Sequence, residues 1–337
     1  MPLAIRFAMC KLASVSVDAA KVELMTALGL GHTRHLLQCF QKLRENFLHI
    51  KESDMMFVNK LYLNQSSNID PAFYANSSEI YGIHVDTVGF QYPTAATKYI
   101  NRIISTMTYR RIQDILTPTD INTNTSMLLL SAIHYKPTWE TPFDLRETRP
   151  YKFIDMDNNI ILIDMVTTTD QFLYMENLEL DFKMFTMLLY HRGTSITYVV
   201  PNKRHGLTAI LETMKHKQNL LFAARAEAKY EIIKITIPKM KIKNSIYWND
   251  TFLEMGMNEI YSSNTYCLNK ILKEYKDKPI YLSQAKQKVF FELDEYGTYR
   301  VPMEQNVMDA MRDIGRLSHS YSTEVRADRP FLFFVNL

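Results

Sequence analysis

The chain has 337 residues, 47% hydrophobic and 22% charged, the balance of an ordinary globular protein rather than a disordered or fibrous one. Its 39 basic and 36 acidic residues are spread along the sequence and leave a net charge of +3, which provides no nucleic-acid footprint. The three cysteines, Cys10, Cys39 and Cys267, are an odd count at unrelated spacings and indicate neither a disulfide framework nor a zinc site.

From the N-terminus, Leu3, Phe7, Ala8, Lys11 and Leu12 form a helix-like stripe. Arg6 and Lys11 break its apolar run, so neither a signal-peptide core nor a membrane span is read there and a cytoplasmic location is expected. A second helix is predicted over Ala19 to Leu28, closed by Gly29 and Gly31. Met55 to Tyr62 reads as a strand, Phe73 to Tyr81 as a short helix, and the segment ending at Phe90 as an edge strand. Ile100, Ile103, Ile104, Met107, Ile112 and Ile115 then fall at helical spacing and predict one helix over 95–116.

The apolar run around Leu128 to Leu130 predicts a buried strand. Residues 165–174 and 185–201 read as strand, strand, a turn at Arg192-Gly193, and strand. Ile233, Ile235 and Ile237 mark one face of a further strand, followed by a helix that ends near Met255-Gly256-Met257. Phe290 to Leu293 is another buried strand, stopped by the charges and glycine of Asp294 to Gly297, and a last one runs from Phe331 to Val335 behind Pro330.

Between these last two strands lies a long polar stretch, 297–330, carrying Arg312, Arg316, Arg326 and Arg329. Loops of that length between core strands are functional or disordered. A solvated linker with some helix is one reading, since Val307, Met308, Met311 and Ile314 share a helical face. A bait presented to a protease is the other. Enzymatic chemistry has no support: His134 and His191 lack a nearby nucleophile pattern, and Ser195 lies in no G-x-S-x-G context.

What flanks the stretch favours the bait. Lys288, Glu295, Gly297 and Thr298 on one side, and Ala327, Asp328, Pro330, Phe331 and Phe333 on the other, resemble the borders of the reactive-centre loop in serpins. Further blocks follow in family order. Pro2, Leu3, Ile5 and Ala8 resemble the segment after the family's first helix, and Asn59, Leu61 and Tyr62 resemble a family strand. Ile100, Asn101, Thr108, Arg111, Ile112 and Asp114 resemble a family helix, with Ile103 in place of its usual tryptophan. Tyr135, Lys136, Trp139, Pro142 and Phe143 resemble the scaffold signature, with Ser131 at its asparagine and Pro137 at its glycine. The resemblance runs with interruptions from Pro2 to Val335.

It implies an α+β serpin-like fold: three β-sheets, about eight helices and an exposed reactive-centre loop, in a single domain over 1–337 with the loop at 298–326. The family's N-terminal helix and C-terminal strand are absent from this reading, which leaves repacking or a dimer as ways to cover the exposed surface. It implies no cofactor, no metal, no nucleic acid and no membrane, and two classes of partner: a trypsin-like serine protease trapped by suicide inhibition, or another protein bound without inhibition. Isoleucine-, asparagine- and methionine-rich composition is similar to that of divergent members carried by poxviruses, whose partners would be host proteins.

Counting back from Pro330, the resemblance puts the reactive bond at Arg316-Leu317, with His319-Ser320 as the alternative register. Arginine before the bond suits a protease with a carboxylate in its primary pocket. In the family the cut loop enters the large sheet as an extra strand. Beyond the hinge residues Glu295, Gly297 and Thr298, this chain places Tyr299, Arg300, Val301, Pro302, Met303 and Glu304. Strand periodicity puts Arg300, Pro302 and Glu304 on one face, and proline is avoided in central strands. The hinge therefore reads as ill suited to insertion. At the sheet-opening region, where the family has serine, asparagine and histidine, the matching positions hold Ala4, Ser131 and Gln287.

Overall fold

A computed structural model describes residues 3–31, 55–217, 219–274, 278–298 and 323–336. Packing divides the chain into two units, one of residues 1–135 and 242–291, the other of residues 136–241 and 292–337.

In the first unit, helices α1 (Leu3–Val15) and α2 (Asp18–Ala27) precede strand β1 (Met55–Asn64), helix α3 (Pro71–Glu79), strand β2 (Ile83–Val88), helix α4 (Pro93–Met107) and strand β3 (Met127–Tyr135). As the sequence predicts, α2 is followed by Gly29, which takes φ +67° while Leu30 N–H bonds back to the Met25 carbonyl at 2.8 Å. In α3 the Asp70 carboxylate caps the N–H groups of Ala72 and Phe73, ahead of a proline that has no N–H to satisfy.

The helix predicted over 95–116 is shorter. Past Met107 the Thr108 hydroxyl bonds back to the Ile104 carbonyl at 2.8 Å and accepts the Ile112 N–H at 3.2 Å. Tyr109 and Arg110 turn into the left-handed region at φ +47° and +64°, which an α-helix cannot follow. Ile112 and Ile115 are nevertheless buried, delivered by an irregular strap instead of a helical face.

Strand β9 (Met240–Tyr247), helix α7 (Asn249–Glu254) and strand β10 (Leu282–Leu293) complete the sheet of this unit, whose order is β2-β1-β3-β10-β9. At its centre β3 pairs antiparallel with β1 and parallel with β10. Alternate side chains feed two cores. Leu129, Leu61, Leu63 and Ala285 join Ile5, Leu12, Leu24 and Phe252, whereas Leu128, Leu130, Tyr62 and Phe290 join Ile100 and Ile104 of α4. Because both faces are covered, β3 carries the continuous apolar run that made it legible in sequence. β10 begins at Leu282, well before the predicted Phe290, because Gln284, Lys286, Gln287 and Lys288 hide the strand pattern.

The second unit holds β4 (Arg149–Ile154), β5 (Ile160–Asn177), β6 (Phe182–Leu188), β7 (Ser195–Pro201), helices α5 (Gly206–His216) and α6 (Leu220–Glu227), β8 (Lys229–Pro238), β11 (Thr323–Arg326) and β12 (Leu332–Asn336). Long β5 pairs with β4 over 160–165, with β8 over 165–174 and with β6 over 173–177. The second and third sheets of the sequence reading are thereby joined into one seven-stranded network among the described residues. Thr167–Thr236 and Thr186–Thr197 hydroxyl pairs stitch facing positions of that network at 3.1 and 2.8 Å. Residues 323–326, the end of the expected loop, are strand β11, paired parallel with β8. β12 is only half-buried at every position, since β7 is its one neighbour among the described residues, although Leu332 and Phe334 pack against the core of this unit.

Candidate functional site: strand seam and loop hinge

The expected bait and arm, Arg300, Pro302, Arg316, Leu317, His319 and Ser320, lie outside the described residues. Two places where such a loop would be received and anchored are described, one in each unit.

The first is the seam between β3 and β10. Nine register pairs run along it, from Leu282 opposite Met127 to Phe291 opposite Tyr135. Gln287 stands opposite Ser131, and its amide Nε2 donates to the Ser131 hydroxyl at 3.2 Å. Both side chains are fully buried. Asn59 of β1 faces Ser131 from the other side, and its Nδ2 donates to the backbone carbonyl of Ala4 at 2.9 Å. Ser131 and Gln287 thus meet directly, and Ala4 is linked to them only through Asn59, by its carbonyl. Asn59 is the member that sequence reasoning used merely as a strand marker. Its signal was available: an asparagine inside a mostly apolar strand needs a partner when buried. Asn59 Oδ1 has no hydrogen-bond partner among the described residues, a cost of about 1–3 kcal/mol for a buried acceptor.

The second place is the hinge after β10. The Asp294 carboxylate accepts the Tyr296 and Gly297 N–H groups at 3.1 and 2.8 Å and pairs with Lys136 Nζ at 2.7 Å. The indole of Trp139 donates to the Asp294 carbonyl at 2.8 Å, and Phe143 N–H donates to the Glu295 carbonyl at 3.0 Å. Trp139 and Phe143 meet edge to face at 5.4 Å, both fully buried, while Pro142 between them is half-buried. The scaffold signature is therefore a clamp on the strand's exit. Thr298 closes it by donating its hydroxyl to the Lys136 carbonyl at 2.6 Å.

Glu295 is the buried charge of the hinge, with its side chain 5% exposed. Lys239 Nζ lies at 3.0 Å and the Thr148 hydroxyl donates at 2.8 Å, two partners that the sequence did not reveal. Burial pushes this carboxyl up, but Lys239, the backbone N–H of Glu295 itself and Thr148 together hold it below the ordinary 4.5. Asp294 behaves alike: burial is outweighed by Lys136 and by the Gly297 and Tyr296 N–H groups, and its pKa stays below 3.8. Gly297 adopts φ +95°, and a Cβ there would meet the Pro137 carbonyl oxygen at 2.2 Å and Thr138 Cα at 2.3 Å. No other residue fits.

The family description "Serpin (serine protease inhibitor)" matches residues 1–336. Antichymotrypsin-2 of Bombyx mori is 24% identical over 327 residues, which is 97% of this chain and 85% of that protein. Among solved structures, Serpin48 of the insect Tenebrio molitor superposes with a TM-score of 0.84 at 19% identity, over 99% of this chain and 86% of that one. Human thyroxine-binding globulin, solved in complex with thyroxine, gives 0.85 at 20% identity, over 99% of this chain and 86% of that one.

Two outcomes follow from the hinge. Gly297→Ala lowers the melting temperature by thermal unfolding, at a cost of roughly 1–3 kcal/mol for the overpacked site, with about 1 kcal/mol more for the left-handed backbone. Glu295→Gln tests the charge. A carboxyl held below its ordinary value contributes stability above that value and loses it as pH falls through the folded pKa. Wild type is therefore more stable than Glu295→Gln at pH 7, and the gap in melting temperature narrows below pH 4.5. A gap independent of pH would mean that the Glu295 charge contributes nothing.

Proposed function

The chain belongs to the serpin family, and from that premise we propose that it engages a trypsin-like serine protease through its loop without trapping it, acting as a binding protein of the family and not as a catalyst. The observation that carries this reading is the sequence after Thr298, Tyr-Arg-Val-Pro-Met-Glu, set against a strand β3 that apolar cores cover on both faces. An arm entering beside β3 would meet one core or the other. Arg300, Pro302 and Glu304 would share one of the two cores, where each charge costs several kcal/mol unless paired, and Pro302 would also omit a ladder hydrogen bond.

Arg316 supports a trypsin-like partner, since a cation before the bond fits a carboxylate-bearing pocket. The Ile-, Asn- and Met-rich composition is the ground for reading the source as viral and that protease as the host's. Suicide inhibition is the second reading, and a specific observation favours it: Glu295, Gly297 and Thr298 keep the residue types of the family's hinge.

Incubation with trypsin separates the two. The expected result is cleavage in the stretch 299–322, no adduct that survives denaturing electrophoresis, and no gain in melting temperature for the cut protein. A detergent-stable adduct, or a cut form markedly more heat-stable than the intact one, would restore suicide inhibition.

A further inference from the structure

On the face of the five-stranded sheet that packs against α4, β10 buries a charge. Lys286 Nζ lies 2.8 Å from Asp120 Oδ2, and the two side chains are only 4% and 5% exposed. The ammonium also donates to the Tyr247 hydroxyl at 2.7 Å and sits 4.4 Å from the centre of that ring. Tyr247 in turn donates to Asp120 Oδ1 at 3.1 Å, closing a triangle of three groups. Thr117 supplies its N–H at 2.6 Å and its hydroxyl at 2.9 Å to the same carboxylate, and Gln284 Nε2 approaches at 3.5 Å.

A fully partnered buried ion pair is weak evidence of stability, because an apolar pair of the same volume often does as well or better. Where it stands is more informative. Asp120 ends a 3-10 turn, Pro118–Asp120, on the connection from α4 to β3. That connection is tied to α4: the Asn101 side chain bonds the Ile115 and Leu116 N–H groups and the Leu116 carbonyl. α4 itself packs Ile100 and Ile104 with Leu128 and Leu130 of β3 and Tyr62 of β1. Lys286 and Tyr247 belong to β10 and β9. The pair therefore spans the β3–β10 seam outside the backbone ladder. Lys288 Nζ makes a second crossing to the Asp114 carbonyl, and Ser283 Oγ a third, accepting the Ser126 N–H at 2.9 Å.

We propose that Asp120, Lys286 and Tyr247 form a latch across the seam, so that β3 and β10 part only after the buried ion pair is broken. The proposal rests on the reading above, in which a cut loop fails to enter at this seam, and names a second reason for the failure inside the sheet itself. The latch is asymmetric in its effect. Losing one partner strands a buried charge, whereas exchanging both removes the tie but also the acceptor of the Thr117 N–H and hydroxyl, a side effect that Tyr247→Phe does not share.

Backbone hydrogen exchange on the intact, uncut chain tests it. Asp120→Leu combined with Lys286→Met removes the latch at similar volume, and Tyr247→Phe removes only the shared hydroxyl. In the double variant, exchange at 127–135 and 282–291 is expected to rise about tenfold or more, while the β1–β2 ladder at 59–64 and 83–88 stays within about twofold as internal reference. Tyr247→Phe gives a smaller rise at the same seam positions, and Lys286→Arg leaves them near wild type. Unchanged exchange at the seam, or an equal rise in both ladders, would overturn the latch, the second outcome marking a merely structural pair. Should the double variant fail to fold, Tyr247→Phe decides on the same criterion. The readout involves no protease, so a detergent-stable adduct with trypsin would sink the proposed function and leave the latch standing, and uniform exchange would do the reverse.

Discussion

The parallel ladder between β3 and β10 is the constraint on which the rest of the structure depends. Parallel neighbours cannot be joined by a tight turn, and these two are brought together across a sequence separation of 157 residues at the Ser126–Ser283 contact. Everything between them must be made before or around that pairing. Such non-local pairing is slow to form, because loop-closure entropy is spent before the contacts repay it. Once formed it is largely enclosed: apolar side chains of β3 alternate into two separate cores, while Ser283, Gln284, Lys288 and Val289 of β10 stay half-buried. Any event that widens the seam exposes both cores at once, and costs about 25 cal/mol for each Å² of apolar surface returned to water.

Polar groups inside this seam are therefore expensive, and their positions carry information. Ser131 and Gln287 satisfy one another across it, and Asn59 reaches back to the helix carbonyl of Ala4. Asp120 and Lys286 satisfy one another on the opposite face, with Tyr247 between them. An all-apolar seam would be easier to stabilise but would tolerate sliding. A one-residue slip of β10 would move Lys286 and Gln287 to opposite faces, leaving an amide and a cation in apolar cores without partners. The two networks thus fix the register as well as hold the strands, each from its own face.

What the sequence revealed follows from the kind of signal involved. β3 was legible because burial on both faces leaves an unbroken apolar run, and Gly297 because a glycine at a strand exit marks a turn that other residues resist. Trp139 and Phe143 were legible only through their resemblance to the family's scaffold signature. The first two-thirds of β10 was not, since Gln284, Lys286, Gln287 and Lys288 read as a solvated surface until their partners on other elements are in view. The strap after α4 misled for a different reason: Ile112 and Ile115 keep helical spacing by coincidence, and only the Thr108 hydroxyl bonds and the left-handed pair Tyr109-Arg110 show that the helix has already ended. Lys239 and Thr148, the partners of Glu295, come from distant parts of the sequence that no local pattern connects to the hinge.

The hinge adds an argument that does not depend on the seam. Up to Thr298 the chain leaving β10 is fixed by the Asp294 turn, by the Trp139 and Phe143 contacts and by a buried, doubly partnered Glu295. For the following arm to reverse direction, φ and ψ must change at positions now held by these bonds. Gly297 lies so close to Pro137 and Thr138 that a side chain there would collide with their backbone. A hinge of this kind stores little freedom until the Thr298–Lys136 bond and the turn behind it have let go. Under the proposed function, Arg300 and Pro302 would return little for that release, because a proline makes no ladder bond and a buried guanidinium is costly unless paired. The unfavourable terms of that proposal then lie at successive steps, release of the exit and burial of the arm.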